Sequence, residues 1–373
     1  MKRLLLIVIT LICCYSSVAF SATFEEIKLA AEQGDAKAQV TLGFLYEKGR
    51  GVRQDYHKAR EWYEKAAVQG LPEAQMNLGI LYNQGRGVRQ DYQKAGEWYE
   101  KAAAQGLPEA QLNLGILYDQ GLGVQQDYQK ARECYEKAAA QGFAGAQACL
   151  GILYDQGHGV QQDYHKAREW YEKAAAQGNA TAQLNLGTLY NHGRGVRQDY
   201  QKARECFEIA AAQGLTKAQV NLGLMYVQGN GVRQDYQKAR ELFEKAAVQG
   251  DALAQTCLGS TYEQGLGVRQ DYRKAREWYE KAAAQGDDLA QTNLGIMYGQ
   301  GLGVRQDYHK AREWLEKAAA QGDDLAQTYL GLMYEQGLGV RKNLATAKDW
   351  FGKACDNGNQ TGCDYYARLN SSR

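Results

Sequence analysis

A repeat with a period of 36 residues runs through almost the whole chain of 373 residues. The hexapeptide Gly-Val-Arg-Gln-Asp-Tyr occupies 51–56 and returns, identical or with substitutions, at each following period up to 339–344. It occurs nine times, and 36 of the 42 glycines fall at four fixed places in the period. A fixed period of roughly 20–50 residues is typical of stacked architectures in which every repeat is one supersecondary unit. The sequence therefore predicts a repeat array and not one globular core.

Each period predicts two helices joined by the glycine-containing hexapeptide. An apolar stripe at helical spacing, centred on Leu42 and Tyr46, predicts a first helix over 36–48. Gly49 follows at the place where helices often end in a left-handed residue. Asp55 is suited to the N-cap of a second helix, because its carboxylate can accept from the free amides of the first turn. A second apolar stripe follows, and the next glycine of the period ends it.

The array as a whole is predicted to be all-α. One helix pair cannot cover its own apolar stripes, so such pairs are stabilised by stacking on their neighbours. No stretch of the sequence shows the alternating pattern of a strand. The prediction is an α/α solenoid of nine 36-residue helix-turn-helix repeats, with a partial unit at 23–34 before them and another at 360–369 after them.

The first residues of the chain do not follow the period. Lys2 and Arg3 precede an apolar run over 4–14, and small residues follow up to Ser21. This layout is typical of a secretory signal peptide, and the apolar run is too short to span a membrane. We therefore expect export to the periplasm or secretion, without a membrane span. The alternative is a lipid anchor on Cys14, which is disfavoured because Cys13 stands where a small residue is required. The predicted organisation is a signal peptide at 1–21, the repeat array at 22–369 and a short tail at 370–373.

The charge of the exported part argues against a nucleic-acid partner. Removing 1–21 takes away two basic residues and no acidic one, which leaves 42 basic and 43 acidic residues and a net charge of −1. Nucleic-acid binding proteins usually carry a basic patch or stripe. The sequence shows no such excess.

The repeat unit resembles a known family. The stretch Ala-Gln-Leu-Asn-Leu-Gly-Ile-Leu-Tyr-Asp-Gln-Gly-Leu-Gly-Val-Gln-Gln-Asp-Tyr-Gln-Lys-Ala at 110–131, followed by an aromatic residue and Ala-Ala-x-x-Gly, is similar to the Sel-one-like repeat. That family is a relative of the tetratricopeptide repeat with a longer turn between its helices. The resemblance covers about residues 23–369. It implies a right-handed α/α superhelix that acts as an adaptor or scaffold, often in bacterial envelopes or in secretory-pathway quality control.

The same resemblance implies where a partner binds. Val40, Thr41, Phe44, Glu47 and Lys48, with their equivalents in other repeats, should line the concave side. Asparagine recurs at the place of Thr41, and its amide can both donate to and accept from a peptide backbone. The alternative interpretation is that asparagine merely tolerates a crowded helix surface. The candidate residues for binding a protein or extended peptide are Asn77, Ile80, Asn113, Ile116, Asp119, Asp155, Asn185, Asn221, Leu224, Asn293 and Ile296.

Two cysteines resemble a staple of the cysteine-rich members of this family, in which a disulfide ties consecutive helices. Cys355 and Cys363 have seven residues between them, at the end of the last second helix and the start of the trailing first helix. The resemblance implies a disulfide confined to this terminal unit. Four other cysteines follow no such pattern and are interpreted as packing thiols, with a bridge between the first two as an alternative: Cys134, Cys149, Cys206 and Cys257.

Cysteine-rich relatives have also been associated with penicillin binding and β-lactam hydrolysis. A serine acyl-transfer enzyme needs a hydroxyl with a base beside it. After residue 21 the serines are Ser260, Ser371 and Ser372, and none begins a Ser-x-x-Lys motif or lies in a Gly-x-Ser-x-Gly turn. The five histidines show no metal-ligand spacing. We expect a secreted or periplasmic scaffold without catalytic residues, metal or cofactor. The alternative is a cell-envelope β-lactam or cell-wall binding protein with weak β-lactamase-like activity.

Overall fold

The computed structural model describes residues 23–371, so the predicted signal peptide at 1–21 lies outside the described residues. This part of the chain contains twenty α-helices and no strand. A single helix, α1 (Phe24–Glu32), precedes nine helix pairs, and a single helix, α20 (Gln360–Ser371), follows them. The last helix ends two residues beyond the predicted boundary at 369. The predicted all-α repeat architecture is confirmed.

The nine pairs are repeats one to nine, which begin at residue 36 and follow one another every 36 residues. Their first helices, termed A helices, are α2 (Ala36–Lys48), α4 (Pro72–Gln84), α6 (Pro108–Gln120), α8 (Ala144–Gln156), α10 (Ala180–His192), α12 (Thr216–Gln228), α14 (Ala252–Gln264), α16 (Asp288–Gln300) and α18 (Asp324–Gln336). Their second helices, termed B helices, are α3 (Tyr56–Val68), α5 (Tyr92–Ala104), α7 (Tyr128–Ala140), α9 (Tyr164–Ala176), α11 (Tyr200–Ala212), α13 (Tyr236–Val248), α15 (Tyr272–Ala284), α17 (Tyr308–Ala320) and α19 (Leu344–Asp356).

The helices form two compact units, the first ending at Gln161 and the second beginning at Gln162. Within each unit, helices that follow one another along the chain pack side by side, an A helix against its own B helix and that B helix against the next A helix. Each unit is therefore a stretch of solenoid whose core runs along the stack.

The repeated hexapeptide forms the turn from A helix to B helix. Gly49 ends α2 with a left-handed φ of 67° and donates its N–H to the carbonyl of Leu45. Gln54 donates its side-chain amide to the carbonyl of Glu47 at 2.8 Å. Asp55 then caps α3, since its carboxylate accepts from the first-turn amides at 3.0 and 3.1 Å. Two polar residues of the hexapeptide, Gln54 and Asp55, therefore hold this turn.

Glycine is required inside the A helix as well as after it. Leu42, Ala59 and Tyr63 have no exposed surface, and together they form the contact between the two helices of repeat one. A Cβ on Gly43 would lie 2.6 Å from the ring of Tyr63, which is closer than atoms can pack. The glycine therefore lets the aromatic ring lie directly on the backbone of the facing helix.

Within each unit, a ladder of glutamines joins neighbouring repeats. Gln39 is buried and donates to the carbonyl of Ala31 at 3.1 Å. Gln69 in turn donates to the side-chain oxygen of Gln39 at 2.9 Å and to the carbonyl of Gly34 at 3.0 Å. The same bonds return further along, for example from Gln105 to the side chain of its buried partner 30 residues earlier. Buried amides that are satisfied in this way fix the register between neighbouring repeats.

The C-terminal cysteine pair forms the disulfide that the resemblance implies. Cys355 and Cys363 are bonded, with their Cα atoms 4.5 Å apart, and the bond joins α19 to α20. The alternative disulfide between Cys134 and Cys149 does not form. Cysteines outside this disulfide are free in the described chain, namely Cys134, Cys149, Cys206 and Cys257.

Candidate functional site

All eleven candidate residues lie on A helices, and each is half-buried. Within one helix the asparagine and the apolar residue are three positions apart, as in Asn77 and Ile80 of α4, so both belong to the same helix face. We call this surface the A face, meaning the part-exposed side chains of the A helices at the places of Lys37, Thr41, Phe44 and Lys48 in repeat one. Nine of the candidates lie on the A face. The other two, Asp119 and Asp155, stand at the place of Glu47, one residue before the place of Lys48, and so lie on a neighbouring side of the helix.

The asparagines lie beside the seam between repeats. The amide of Asn113 contacts the sulfur of Met76 at 3.8 Å, and Met76 belongs to the A helix of the preceding repeat. The apolar neighbours are partly committed to packing. Ile80 packs against the buried cluster around Tyr99, and Leu224 packs against the cluster around Phe243. The A face therefore combines amide groups with apolar side chains that are only partly covered.

One expected position does not belong to this surface. Val40 is half-buried, but its equivalents in the eight following repeats are buried. Met76, for example, keeps 6% of its surface and Val220 keeps 2%. This side chain points at the A helix of the next repeat, as the hydrogen bond from Thr256 to Asp287 at 2.9 Å shows. The expectation that this position lines the exposed side was wrong, because it faces the seam.

Two carboxylates at the place of Glu47 accept a hydrogen bond from a tyrosine of the same repeat. The carboxylate of Glu47 accepts from the hydroxyl of Tyr63 at 2.9 Å, and that of Glu263 accepts from Tyr279 at 2.6 Å. Asp119 lies near the hydroxyl of Tyr135 on the B helix that follows it. Burial raises the pKa of the Asp119 carboxyl, so this residue is not a freely solvated acid.

The repeats that lack the hydroxyl vary at this place. Phe243 and Leu315 are matched by Val227 and Gly299, whereas Phe351 is matched by Glu335, which binds Arg368 instead. Asp119 lies beside a buried tyrosine, and Asp155 holds the equivalent place in repeat four.

Sequence reasoning missed three exposed leucines of the A face. Leu253, Leu289 and Leu325 are the second residues of α14, α16 and α18, and they are 48%, 45% and 37% exposed. The signal was present as a leucine repeated at 36-residue spacing in the last three repeats only.

The described residues offer little for catalysis. Burial raises the pKa of Cys149 and of Cys257 to about 12, and that of Cys134 and Cys206 to about 11, so these thiols are protonated at neutral pH. Ser260 accepts from the amide of Gln264 at 2.9 Å, and an amide cannot serve as a general base. Between residues 23 and 371 no group of three or more histidine, cysteine, aspartate or glutamate side chains is placed to hold a metal ion.

None of the helices in the described part of the chain has the length and apolar character that crossing a membrane requires.

The stacked helix pairs define a class, the α/α solenoid repeat proteins, in which such pairs present one continuous face. A model of the Sel1 repeat matches nine consecutive segments of the chain, from 36–71 to 324–359. The chain therefore belongs to the Sel1 repeat family, the Sel-one-like family that its repeat unit resembles.

Two solved structures agree with this assignment. The Sel1 repeat protein from Oxalobacter formigenes is 37% identical, with 83% of this chain and 90% of that chain covered and a TM-score of 0.62. A protective antigen present in uropathogenic Escherichia coli strains, which displays an SLR fold, is 35% identical, with 94% and 91% covered and a TM-score of 0.59. No curated protein matches the sequence.

Proposed function

We propose that this protein is an exported, non-catalytic scaffold that binds proteins or extended peptides on its A face, the face that the family resemblance places on the concave side. The observation that carries the proposal is a repeated pair of part-exposed side chains, an asparagine with an apolar residue three positions later. The pair occurs in both units of the chain, as Asn77 with Ile80, Asn113 with Ile116, Asn221 with Leu224 and Asn293 with Ile296.

Such a pair suits recognition of a polypeptide. The asparagine amide carries donors and an acceptor that match the groups of a peptide backbone. The apolar neighbour offers a contact for a side chain of the bound segment. Because the pair recurs on stacked helices, a partner can make several small contacts along the face instead of one large contact. Asn185 belongs to the same row, with Thr188 in place of the apolar residue.

Three features support export. The residues at 1–21 have the layout of a signal peptide. The Cys355–Cys363 disulfide favours an oxidising compartment, because thiols are kept reduced in the cytosol. The similar protein of uropathogenic Escherichia coli is described as a protective antigen. Mass spectrometry of the native product should find an N-terminus at or near Ala22, and a product that still begins at Met1 would contradict export.

The non-catalytic part of the proposal is supported by the protonated thiols and by the contact of Ser260 with the amide of Gln264, which is not a base. Purified protein with the disulfide intact should leave the chromogenic β-lactam nitrocefin unchanged. Hydrolysis above the rate of a heat-denatured sample would favour the β-lactam alternative instead.

The binding face can be tested by crosslinking in the native compartment. A photo-reactive amino acid at Asn113 should give discrete crosslinks to a partner protein. The same group at Glu61, an exposed residue on the B helix of repeat one, serves as the matched control and should give none. Crosslinks from the control site alone would show that partners bind the outer side, and the A-face assignment would be wrong.

A further inference from the structure

The chemistry of the A face changes in repeats seven to nine. Leu253, Leu289 and Leu325 are 48%, 45% and 37% exposed, and each lies in the first turn of its helix, where solvent has access. The corresponding residues of repeats one to six are polar, charged or glycine: Lys37, Glu73, Glu109, Gly145, Thr181 and Lys217. An apolar row on the surface is therefore confined to the last three repeats.

Packing does not account for these leucines. Several earlier repeats place their apolar residue two positions before this one, where it is covered. Leu71 packs on the cluster around Tyr63, and Leu215 packs on the cluster around Phe207. In repeats seven to nine that earlier place is an aspartate which caps the helix, for example Asp287, whose carboxylate accepts from the amide of Ala290 at 2.8 Å. In repeats seven to nine the apolar residue therefore lies at an exposed place, whereas in those earlier repeats it lies at a packed one.

The three leucines form one row, because their helices are tied to each other directly. Thr256 of α14 donates to Asp287 at 2.9 Å, and Thr292 of α16 donates to Asp323 at 3.0 Å. These bonds hold the start of each A helix against the middle of the A helix before it. Helices in contact usually lie about 8–10 Å apart, and we take this distance as the spacing between successive leucines.

A negative edge accompanies the row. Five aspartates lie at the starts of the three helices, and the partial positive charge of a helix N-terminus, about +0.5 each, does not offset them. The lysines at the ends of the intervening B helices lie over tryptophan rings of their own helices, Lys281 at 3.8 Å and Lys317 at 4.1 Å from the ring centres. The aspartates are Asp251, Asp287, Asp288, Asp323 and Asp324.

We propose that this row docks an amphipathic, positively charged helix of a partner protein. Seven residues of an α-helix rise about 10.5 Å, which is close to the spacing of the leucines. A helix lying across α14, α16 and α18 would therefore present apolar residues at i, i+7 and i+14 to the three leucines in turn. Basic residues beside that stripe would face the aspartates. A polyproline segment has a similar spacing, but it binds grooves lined by aromatic rings, whereas this row is leucine. The inference rests on the proposed function, since it concerns the same face.

Three fluorescein-labelled peptides of equal length and equal leucine content test the proposal by fluorescence anisotropy on the full exported protein. The first is basic and carries leucine at heptad spacing. The second has the same composition with the leucines dispersed around the helix. The third carries glutamate in place of lysine. We expect the first to bind about tenfold more tightly than either of the others, and its affinity should fall as salt is added.

Variants of the protein locate the binding. Leu253→Ser, Leu289→Ser and Leu325→Ser combined should weaken the basic amphipathic peptide about tenfold or more. The matched control removes three exposed apolar residues elsewhere, by Val68→Ser, Val248→Ser and Leu344→Ser, which are 83%, 79% and 50% exposed, and should leave the affinity unchanged. Asp288→Asn with Asp324→Asn should weaken the peptide and reduce its salt dependence. Circular dichroism confirms that each variant is folded.

Three results would overturn the inference: similar binding of all three peptides, preference for the acidic one, or full binding by the triple leucine variant. A failure of the proposed function would be detected separately, because Asn113, which lies in the first unit, would then give no crosslinks. The leucine row could then still bind its peptide, and a loss of peptide binding alone would leave the crosslinks intact.

Discussion

At the scale of single residues, buried tyrosine hydroxyls connect A helices to B helices. Burial is the main cause that raises the pKa of four of them above the ordinary value of 10.0. For Tyr279 the carboxylate of Glu263 raises the pKa further, because a phenolate would face a negative charge. The folded protein therefore keeps protons that the unfolded chain releases above pH 10. The four residues are Tyr63, Tyr99, Tyr135 and Tyr279.

This linkage predicts a loss of stability at alkaline pH. A group whose folded pKa is raised stabilises the fold fully below its unfolded pKa, and that stability is lost as the pH rises above it. Each tyrosine can lower the free energy of unfolding by up to about 1.4 kcal/mol for every pH unit above pH 10. The double variant Tyr279→Phe with Glu263→Val copies the natural pair Phe243 and Val227 and should make the decline shallower by one such share. Urea unfolding at several alkaline pH values measures the slope, and an unchanged slope would contradict the role of this pair.

Two glycines of α16 predict opposite effects of the same substitution. A Cβ on Gly295 would lie 2.5 Å from the Leu315 side chain and 3.1 Å from a backbone carbonyl, so Gly295→Ala should destabilise by about 1–3 kcal/mol. A Cβ on Gly299 would meet its nearest atom at 3.7 Å, an ordinary contact. Gly299→Ala should therefore stabilise the helix by up to about 1 kcal/mol. Thermal unfolding followed by circular dichroism compares the two, and equal shifts of the same sign would contradict the packing argument.

At the scale of helices, the sequence predicted what depends on local chemistry. The expected first helix at 36–48 is α2 (Ala36–Lys48), because its cap and its terminating glycine lie within a few residues of it. Ion pairs four residues apart on the B helices are local in the same sense, as Arg60 with Glu64 at 3.4 Å. The prediction that Val40 and its equivalents line the exposed side was wrong, because the direction of these side chains depends on how the next repeat stacks. The leucine row was missed because exposure is a property of neighbours and not of one repeat.

The terminal helix predicts a local effect of the disulfide. A loop of this length closed by a disulfide is stabilised by about 2–3 kcal/mol, and α20 has no repeat after it in the described chain to add contacts. Cys355→Ala should therefore speed hydrogen exchange of the α20 amides and leave those of α2 to α6 unchanged. A reductant should act on the wild type in the same way and have no further effect on the variant. Exchange that rises evenly along the chain would show that the bond stabilises more than its own unit.

At the scale of the whole molecule, stability is distributed along the stack, and the proposed binding would be distributed in the same way. Within each unit the contacts join helices that are adjacent or two apart in the chain, so a repeat is supported by its immediate neighbours. Stability is then close to a sum of repeats and their interfaces. A face built in this way gains affinity by the same addition, because each A helix contributes its own few contacts.

Additive contacts predict a graded loss of binding to a partner found by crosslinking. One hydrogen bond contributes about 1 kcal/mol, so Asn77→Ala or Asn113→Ala alone should weaken binding only about five-fold. Asn77→Ala with Asn113→Ala should weaken it by the product of the two single effects, since these side chains lie on different helices. Adding Ile116→Ala should weaken binding further, with helicity and melting unchanged. Lys58→Ala with Glu61→Ala, two exposed residues of α3, is the control and should bind as the wild type does. Calorimetric titration measures all of these affinities. If only the control variant releases the partner, recognition lies on the B helices and the A face serves packing alone.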